Sequence, residues 1–147
     1  NGTSWTEVND LNTARGLSGT GTQTAALGFG GQDGHPTTYA LNESWNGTSW
    51  TEVNDLGTGR YTIGAAGTQT SALGFGGGEP GSTAKTESWN GTTWTTVNPL
   101  NLARYSPGGT GASNSSALSA SGSASGTPTT ATEEWTDGIQ TKTITSS

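Results

Sequence analysis

The chain's single histidine, His35, stands in Gln32-Asp-Gly-His-Pro36, two residues from Asp33. A carboxylate and an imidazole at that spacing could share a metal ion, or act as orienter and general base. With no second histidine and no cysteine to complete a ligand set, a solvated loop histidine is the better reading, and neither a metal nor another cofactor is expected. Three arginines (Arg15, Arg60, Arg104) recur in a common register and are expected to pair inside the fold with carboxylates or blade-edge carbonyls, Glu43, Glu87 and Glu133 being the candidates because they share that register. Six tryptophans could form an aromatic platform for sugar rings, but in a chain this poor in aliphatics their first use is packing. Asn1, Asn42, Asn46, Asn90 and Asn114 each have Ser or Thr two positions on, the acceptor pattern for N-glycans. Three of them sit in the same Asn-Gly turn, which hairpin geometry already explains, and Asn42 falls inside an expected strand, a poor acceptor.

Composition narrows the partners. The 147 residues carry five basic against eleven acidic side chains, a formal charge of -6, and leave no basic surface for phosphates, so nucleic acid is not expected. No apolar run is long enough for membrane insertion or a signal h-region. With 27% hydrophobic residues and 25 glycines, a thick helical core is excluded. Disordered chains are poor in aromatics, so the tryptophans argue for folding.

The elements that position these residues come in repeats. Asn1-Gly-Thr-Ser-Trp5-Thr-Glu-Val8-Asn-Asp-Leu11 returns as Asn46 to Leu56 and again, with changes, as Asn90 to Leu100. Each copy is followed by its arginine, then by an apolar and glycine stretch ending Ala26-Leu-Gly-Phe-Gly-Gly31 or Ala72-Leu-Gly-Phe-Gly-Gly77, and closes on a second tryptophan, Trp45, Trp89 or Trp135. A period of this length, built of short alternating stretches, indicates one four-stranded blade per repeat in an all-β propeller. Asn46-Gly47 and Asn90-Gly91 between apolar-alternating runs mark tight hairpins, with both turn residues at positive φ. Strand three is then expected over Tyr39 to Trp45, strand four over Ser49 to Val53, the inner first strand over Arg60 to Ala66, a turn over Gly67 to Thr70, and the second strand over Ser71 to Phe75. Trp45, Trp50, Trp89 and Trp94 are expected to be largely buried between blades.

The order of glycine doublet, variable loop, acidic residue, aromatic, short turn, Trp, loop and Arg, as in Gly76-Gly77, Glu87, Trp89, Trp94 and Arg104, resembles the kelch repeat. The chain departs from the usual kelch pattern in placing Trp where Tyr is commoner before the turn, in tightening that turn to Asn-Gly, and in the third copy, where Ala117-Leu-Ser-Ala-Ser-Gly122 replaces the doublet segment. The near-identity of the first two copies is also similar to kelch-like tandem arrays of phage and environmental bacterial surface proteins. The resemblance implies a kelch-type β-propeller with three four-stranded blades visible. Copper-radical oxidases on kelch-like propellers need a cysteine, which this chain lacks.

Residues 1–10 are expected to be the outer strand of a preceding blade, followed by blades over 11–56 and 57–99 and a degenerate, terminal blade over 100–147 whose outer strand runs from Asp137 to Ile144. Three blades cannot close a ring, since propellers have about four to eight. The remaining blades are expected from the same or another chain, and the isolated chain should form multimers or aggregate.

The repeats differ most in the loop between strands two and three: Gln32 to Thr38, Gly78 to Lys85, and Ser123 to Thr130. Asp33, His35, Glu79 and Lys85 are the candidate ligand-binding residues, exposed on one face beside the connection containing Asn54, Asp55 and Gly57. No catalytic residues are expected. The function expected is a non-enzymatic structural or adhesive module of a virion fibre or cell surface, extracellular, binding a cell-surface glycan or protein. The alternatives are an accessory part of a propeller lyase or hydrolase whose catalytic residues lie elsewhere, and an intracellular kelch adaptor.

Overall fold

The computed structural model describes residues 2–34 and 36–138. Among them there is no helix, and the strands in chain order are β1 (Gly16–Thr22), β2 (Ala25–Gln32), β3 (Asn42–Trp45), β4 (Trp50–Val53), β5 (Gly64–Thr68), β6 (Ser71–Phe75), β7 (Gly78–Glu79), β8 (Gly81–Ser82), β9 (Thr86–Trp89), β10 (Trp94–Val97), β11 (Gly108–Ser113), β12 (Ser116–Ala120), β13 (Ser123–Ala124), β14 (Thr127–Pro128) and β15 (Thr132–Thr136). They form three antiparallel meanders, β1-β2-β3-β4, β5-β6-β9-β10 and β11-β12-β15. The outer strand expected after Asp137 falls largely in residues 139–147, outside the described residues. The short ribbons β7–β8 and β13–β14 lie within the variable loops. The first strands of the meanders gather together, β1 beside β5 and β5 beside β11.

The second strand of the middle meander, β6, covers the expected residues, whereas its neighbours are shifted. β5 begins at Gly64 instead of Arg60 because Thr62 sits at φ 50°, a left-handed kink that breaks the extended backbone; Ser106 repeats it at φ 48°. β5 then runs on to Thr68 through the stretch read as a turn. β3 is shorter than expected because Tyr39 and Ala40 bond irregularly, Tyr39 N to Gly31 O and Leu56 N to Ala40 O, outside any ladder. The Asn-Gly turns are displaced by one residue. Trp45 pairs with Trp50, and Asn46 N donates to Ser49 O, so Gly47 and Thr48 are the central pair and only Gly47 has positive φ, 93°. Asn46 instead caps the turn, its Oδ1 accepting from Thr48 N and Ser49 N at 2.9 Å; Asn90 does the same for Thr92 and Thr93.

The core lies between successive meanders. One cluster joins Leu27 and Phe29 of β2 to Ile63, Ala72 and Trp89 of the next meander. A second joins Leu73 and Phe75 of β6 to Ala117, with Trp135 against it. Phe29 is the wedge: its ring meets Trp94 edge-on at 4.9 Å and lies where a Cβ on Gly74 would come within 3.0 Å. Glycine at 74 is therefore what lets the next sheet receive the ring. Trp45 and Trp89 are 6% and 2% exposed, whereas Trp50 and Trp94, expected to be equally buried, are only half-buried, because β4 and β10 are the outermost strands of their sheets.

The outer strand expected over residues 1–10 is not formed by residues 2–10, although Asn9 Nδ2 donates to Thr48 O at 2.8 Å. Trp5 there is fully exposed.

Candidate functional site

The recurring charged residues are internal. Arg60, fully buried, donates through Nη1 to Gly76 O (2.8 Å) and Lys85 O (2.9 Å) and through Nη2 to Glu87 Oε2 (2.7 Å), while Glu87 Oε1 accepts from Gly57 N. Arg15 makes the corresponding contacts with Gly30 O, Leu41 O and Glu43, which accepts from Asn12 N; Arg104 bonds Ala131 O, Ser119 Oγ and Glu133, which accepts from Asn101 N. Of the two kinds of partner expected, carboxylates and backbone carbonyls, each arginine uses both, and the ion pairs are Arg15–Glu43, Arg60–Glu87 and Arg104–Glu133. Each ties the end of strand two, the start of strand three and the incoming connection together, with only Arg60 Nε and Arg104 Nε left without a hydrogen-bond partner among the buried arginine nitrogens of the described residues. Burial alone would raise the Glu43 carboxyl, but the hydrogen bonds from Arg15 and Asn12 outweigh it and hold Glu43 below its ordinary value of 4.5.

The strand-three tryptophans are equally committed. Trp45, Trp89 and Trp135 donate Nε1–H to Gln23 O, Gln69 O and Asn114 O in the β-turn of their own meander. Asn42, one of the possible glycan acceptors, is fully buried and donates to Asn54 O.

The variable loops leave a different surface. Asp33 and Lys85 are exposed and Glu79 partly so, while His35 lies outside the described residues. The structure brings Glu79 and Lys85 together at 2.6 Å, and Lys85 Nζ also reaches Thr58 Oγ1 of the connection after β4. Asp33 stands apart from them in the preceding loop, where Tyr39 donates to its Oδ2 at 2.9 Å. That hydrogen bond, with some burial and the Asp33 charge, pushes the Tyr39 phenol up from its ordinary 10.0. Gly59 packs against Thr38 O, so the first loop and the connection containing Asn54, Asp55 and Gly57 are neighbours, and all three of those residues are exposed.

Tyrosines are the part that sequence reasoning missed. Tyr61 and Tyr105 lie against each other, tilted by 41° with centroids 5.9 Å apart, and flank the β7–β8 ribbon, where Tyr105 Oη donates to Pro80 O. Its phenol is pushed up, first by the hydrogen bond with Tyr61 and then by burial. Gly78 is required between them, since a Cβ there would stand 2.5 Å from both rings. The signal was present: Tyr follows the recurring arginine in the second and third copies and Gly16 follows it in the first. The arrangement offers hydrogen-bond donors and acceptors, one cation and aromatic edges on one face, the groups that recognise polar ligands.

Among the described residues no cluster of three or more His, Cys, Asp or Glu is placed to hold a metal ion, and no helix is long and apolar enough to cross a membrane. No protein-family model matches the chain, and no curated protein matches it.

Proposed function

We propose that each meander is one blade of a kelch-type β-propeller, and that the chain is a non-enzymatic structural or adhesive module of a virion or cell surface that binds a glycan or protein through the variable-loop face. The gathering of β1, β5 and β11 and the face-to-face packing of the three sheets support the blade reading. One observation carries the functional reading. The arginines, glutamates and strand-three tryptophans that recur are consumed by internal bonds, whereas the polar residues that differ between copies, Asp33, Glu79 and Lys85, are held by short contacts at the surface. A scaffold held constant beneath a varied polar face is how a rigid fold acquires a ligand without changing its core. Burial of the Trp45 and Trp89 rings removes them as a sugar platform.

The test is binding to a glycan array and to cells of the natural host. Replacing Asp33, His35, Glu79 and Lys85 together by Ala is expected to abolish binding while the fold is kept. Binding unchanged by that replacement, and lost on altering Asn46 and Asn90, would place the site on the opposite face.

A further inference from the structure

The second and third copies carry one residue more than the first at the entry to the inner strand. Ser18, the partner of Phe29, is the third residue after Arg15, whereas Gly64, opposite Phe75, and Gly108, opposite Ala120, are the fourth after Arg60 and Arg104. Gly16 of the first copy thus stands where Tyr61-Thr62 and Tyr105-Ser106 stand in the others. The first meander forms all four of its strands with glycine there, so the added pair is not a requirement of the sheet.

The addition brings strain with it. Thr62 and Ser106 sit at φ 50° and 48°, and a β-branched residue in the left-handed region is a genuine outlier. Among the described residues thirteen glycines take positive φ against four other residues, so glycine is this chain's ordinary means of turning in that region. At 62 and 106 hydroxyl side chains are kept instead, both residues are exposed, and the two kinks are tied together by Ser106 N donating to Thr62 O at 3.0 Å. Strain of this kind concentrates at ligand clamps and active sites.

The tyrosines converge on one place. Tyr61 exchanges both backbone hydrogen bonds with Gly78, and the Tyr105 ring reaches across from the third meander until both rings close on that glycine, where a Cβ would stand 2.5 Å from each. Tyr105 Oη donates to Pro80 O at the tip of the β7–β8 ribbon, and Lys85 Nζ anchors the same ribbon by bonding Glu79 at 2.6 Å and Thr58 Oγ1 at 3.3 Å. Both rings are only part-buried. The junction between the second and third meanders therefore holds two tilted aromatic rings, two exposed hydroxyl residues and a carboxylate–ammonium pair in a fixed arrangement. Part-exposed tyrosines present an apolar ring with a polar tip, which suits the C–H face of a pyranose, and hydroxyls and a carboxylate suit its hydroxyl groups. An anionic ligand is disfavoured, because the three arginines pair internally, Lys85 is neutralised by Glu79, and the chain carries a formal charge of -6.

We propose that the Tyr61–Tyr105 junction is a subsite for a neutral sugar, a hexopyranose without carboxylate, sulfate or phosphate, whose ring packs on the tyrosines and whose hydroxyls bond Thr62, Ser106 and Glu79. The subsite rests on the loop-face reading and gives that face its ligand class, through residues which that reading does not itself use.

Binding of the full chain to immobilised oligosaccharides ending in galactose, glucose, mannose or N-acetylglucosamine, beside the same scaffolds capped with sialic acid or glucuronate, tests it. A neutral end should bind, and an acidic cap should weaken that binding. Removing one ring, in Tyr61→Ala or Tyr105→Ala, should raise the dissociation constant about tenfold, and Tyr105→Phe, which keeps the ring, by no more than about threefold. Thr62→Gly separates a ligand clamp from an ordinary turn: it should raise the urea midpoint by relieving strain and yet weaken sugar binding. Should either alanine variant lose its unfolding transition, Tyr105→Phe and Thr62→Gly decide. Binding only to acid-capped glycans, binding to none of them, or affinity unchanged in the tyrosine-to-alanine variants or in Thr62→Gly would overturn the subsite. Cell adhesion that survives Tyr61→Ala and Tyr105→Ala but is lost when Asp33, His35, Glu79 and Lys85 are replaced by Ala would sink the subsite and leave the loop-face reading standing, whereas adhesion indifferent to the fourfold replacement would sink that reading.

Discussion

Removing Arg60 should be among the most damaging single changes to this fold, and its magnitude can be worked from the contacts. The guanidinium makes three hydrogen bonds, to Gly76 O, Lys85 O and Glu87 Oε2, and its loss strands two carbonyls and a carboxylate that is itself only 5% exposed. Hydrogen bonds to charged groups contribute about 1.5–3 kcal/mol each, neutral ones about 1, and an uncompensated buried charge costs about 3–5 kcal/mol. Arg60→Met, which keeps the apolar stem, should therefore cost about 3–5 kcal/mol, a large part of the roughly 5–15 kcal/mol that holds a domain together. Glu87→Gln retains an acceptor for Gly57 N, and the double variant Arg60→Met/Glu87→Gln should be more stable than the two single losses combined by about 1–3 kcal/mol. Urea unfolding followed by tryptophan fluorescence at fixed protein concentration measures all three. An Arg60→Met cost below about 1 kcal/mol, or additivity within about 0.5 kcal/mol, would refute the claim that the buried pair organises the meander.

Ser121 occupies the first doublet position of the third copy at φ 62°, so Ser121→Gly should stabilise by about 1 kcal/mol, whereas Gly30→Ala should destabilise by more, its Cβ falling 2.5 Å from Ile63 Cδ1; urea midpoints decide both. Because Glu43 is held below its ordinary value in the folded chain, its contribution is complete above 4.5 and is lost as pH falls through the folded value; an acid titration of stability should lose part of its slope in Arg15→Met. Tyr39 has the opposite sign, its contribution present below 10.0 and lost as pH rises through the raised value, so Tyr39→Phe should flatten the alkaline limb. The Asp33, His35, Glu79 and Lys85 replacement by Ala should change stability by no more than about 1 kcal/mol, read from the same unfolding curves.

The all-β meanders, the β6 limits and the three Arg–Glu pairs were legible in the sequence because each repeats, and a repeated residue must satisfy the same contacts in every copy. Turn placement was legible to one residue. Asn-Gly marks the hairpin, but whether Asn46 enters the turn or caps it depends on the register of Trp45 with Trp50, which no local pattern fixes. The burial of Trp50 and Trp94 was overestimated for a related reason: alternation in β4 reads equally well for either face, and exposure is set by these strands being outermost. The Phe29 wedge over Gly74 and the Tyr61–Tyr105 pair join residues of different copies, and such contacts leave only composition differences in the sequence. Of the candidate loop residues, exposure could be read from turn chemistry, but the Glu79–Lys85 pairing and the separation of Asp33 from it depend on the β7–β8 ribbon, which has too few residues to show a strand pattern.

The central proposal is that these meanders are blades of a propeller with the variable loops on a single face. Electron-microscopic class averages of the natural protein test it most directly. The account predicts a disc of radial lobes around a central channel. An open arc, a linear stack of sheets or a helical filament would contradict it.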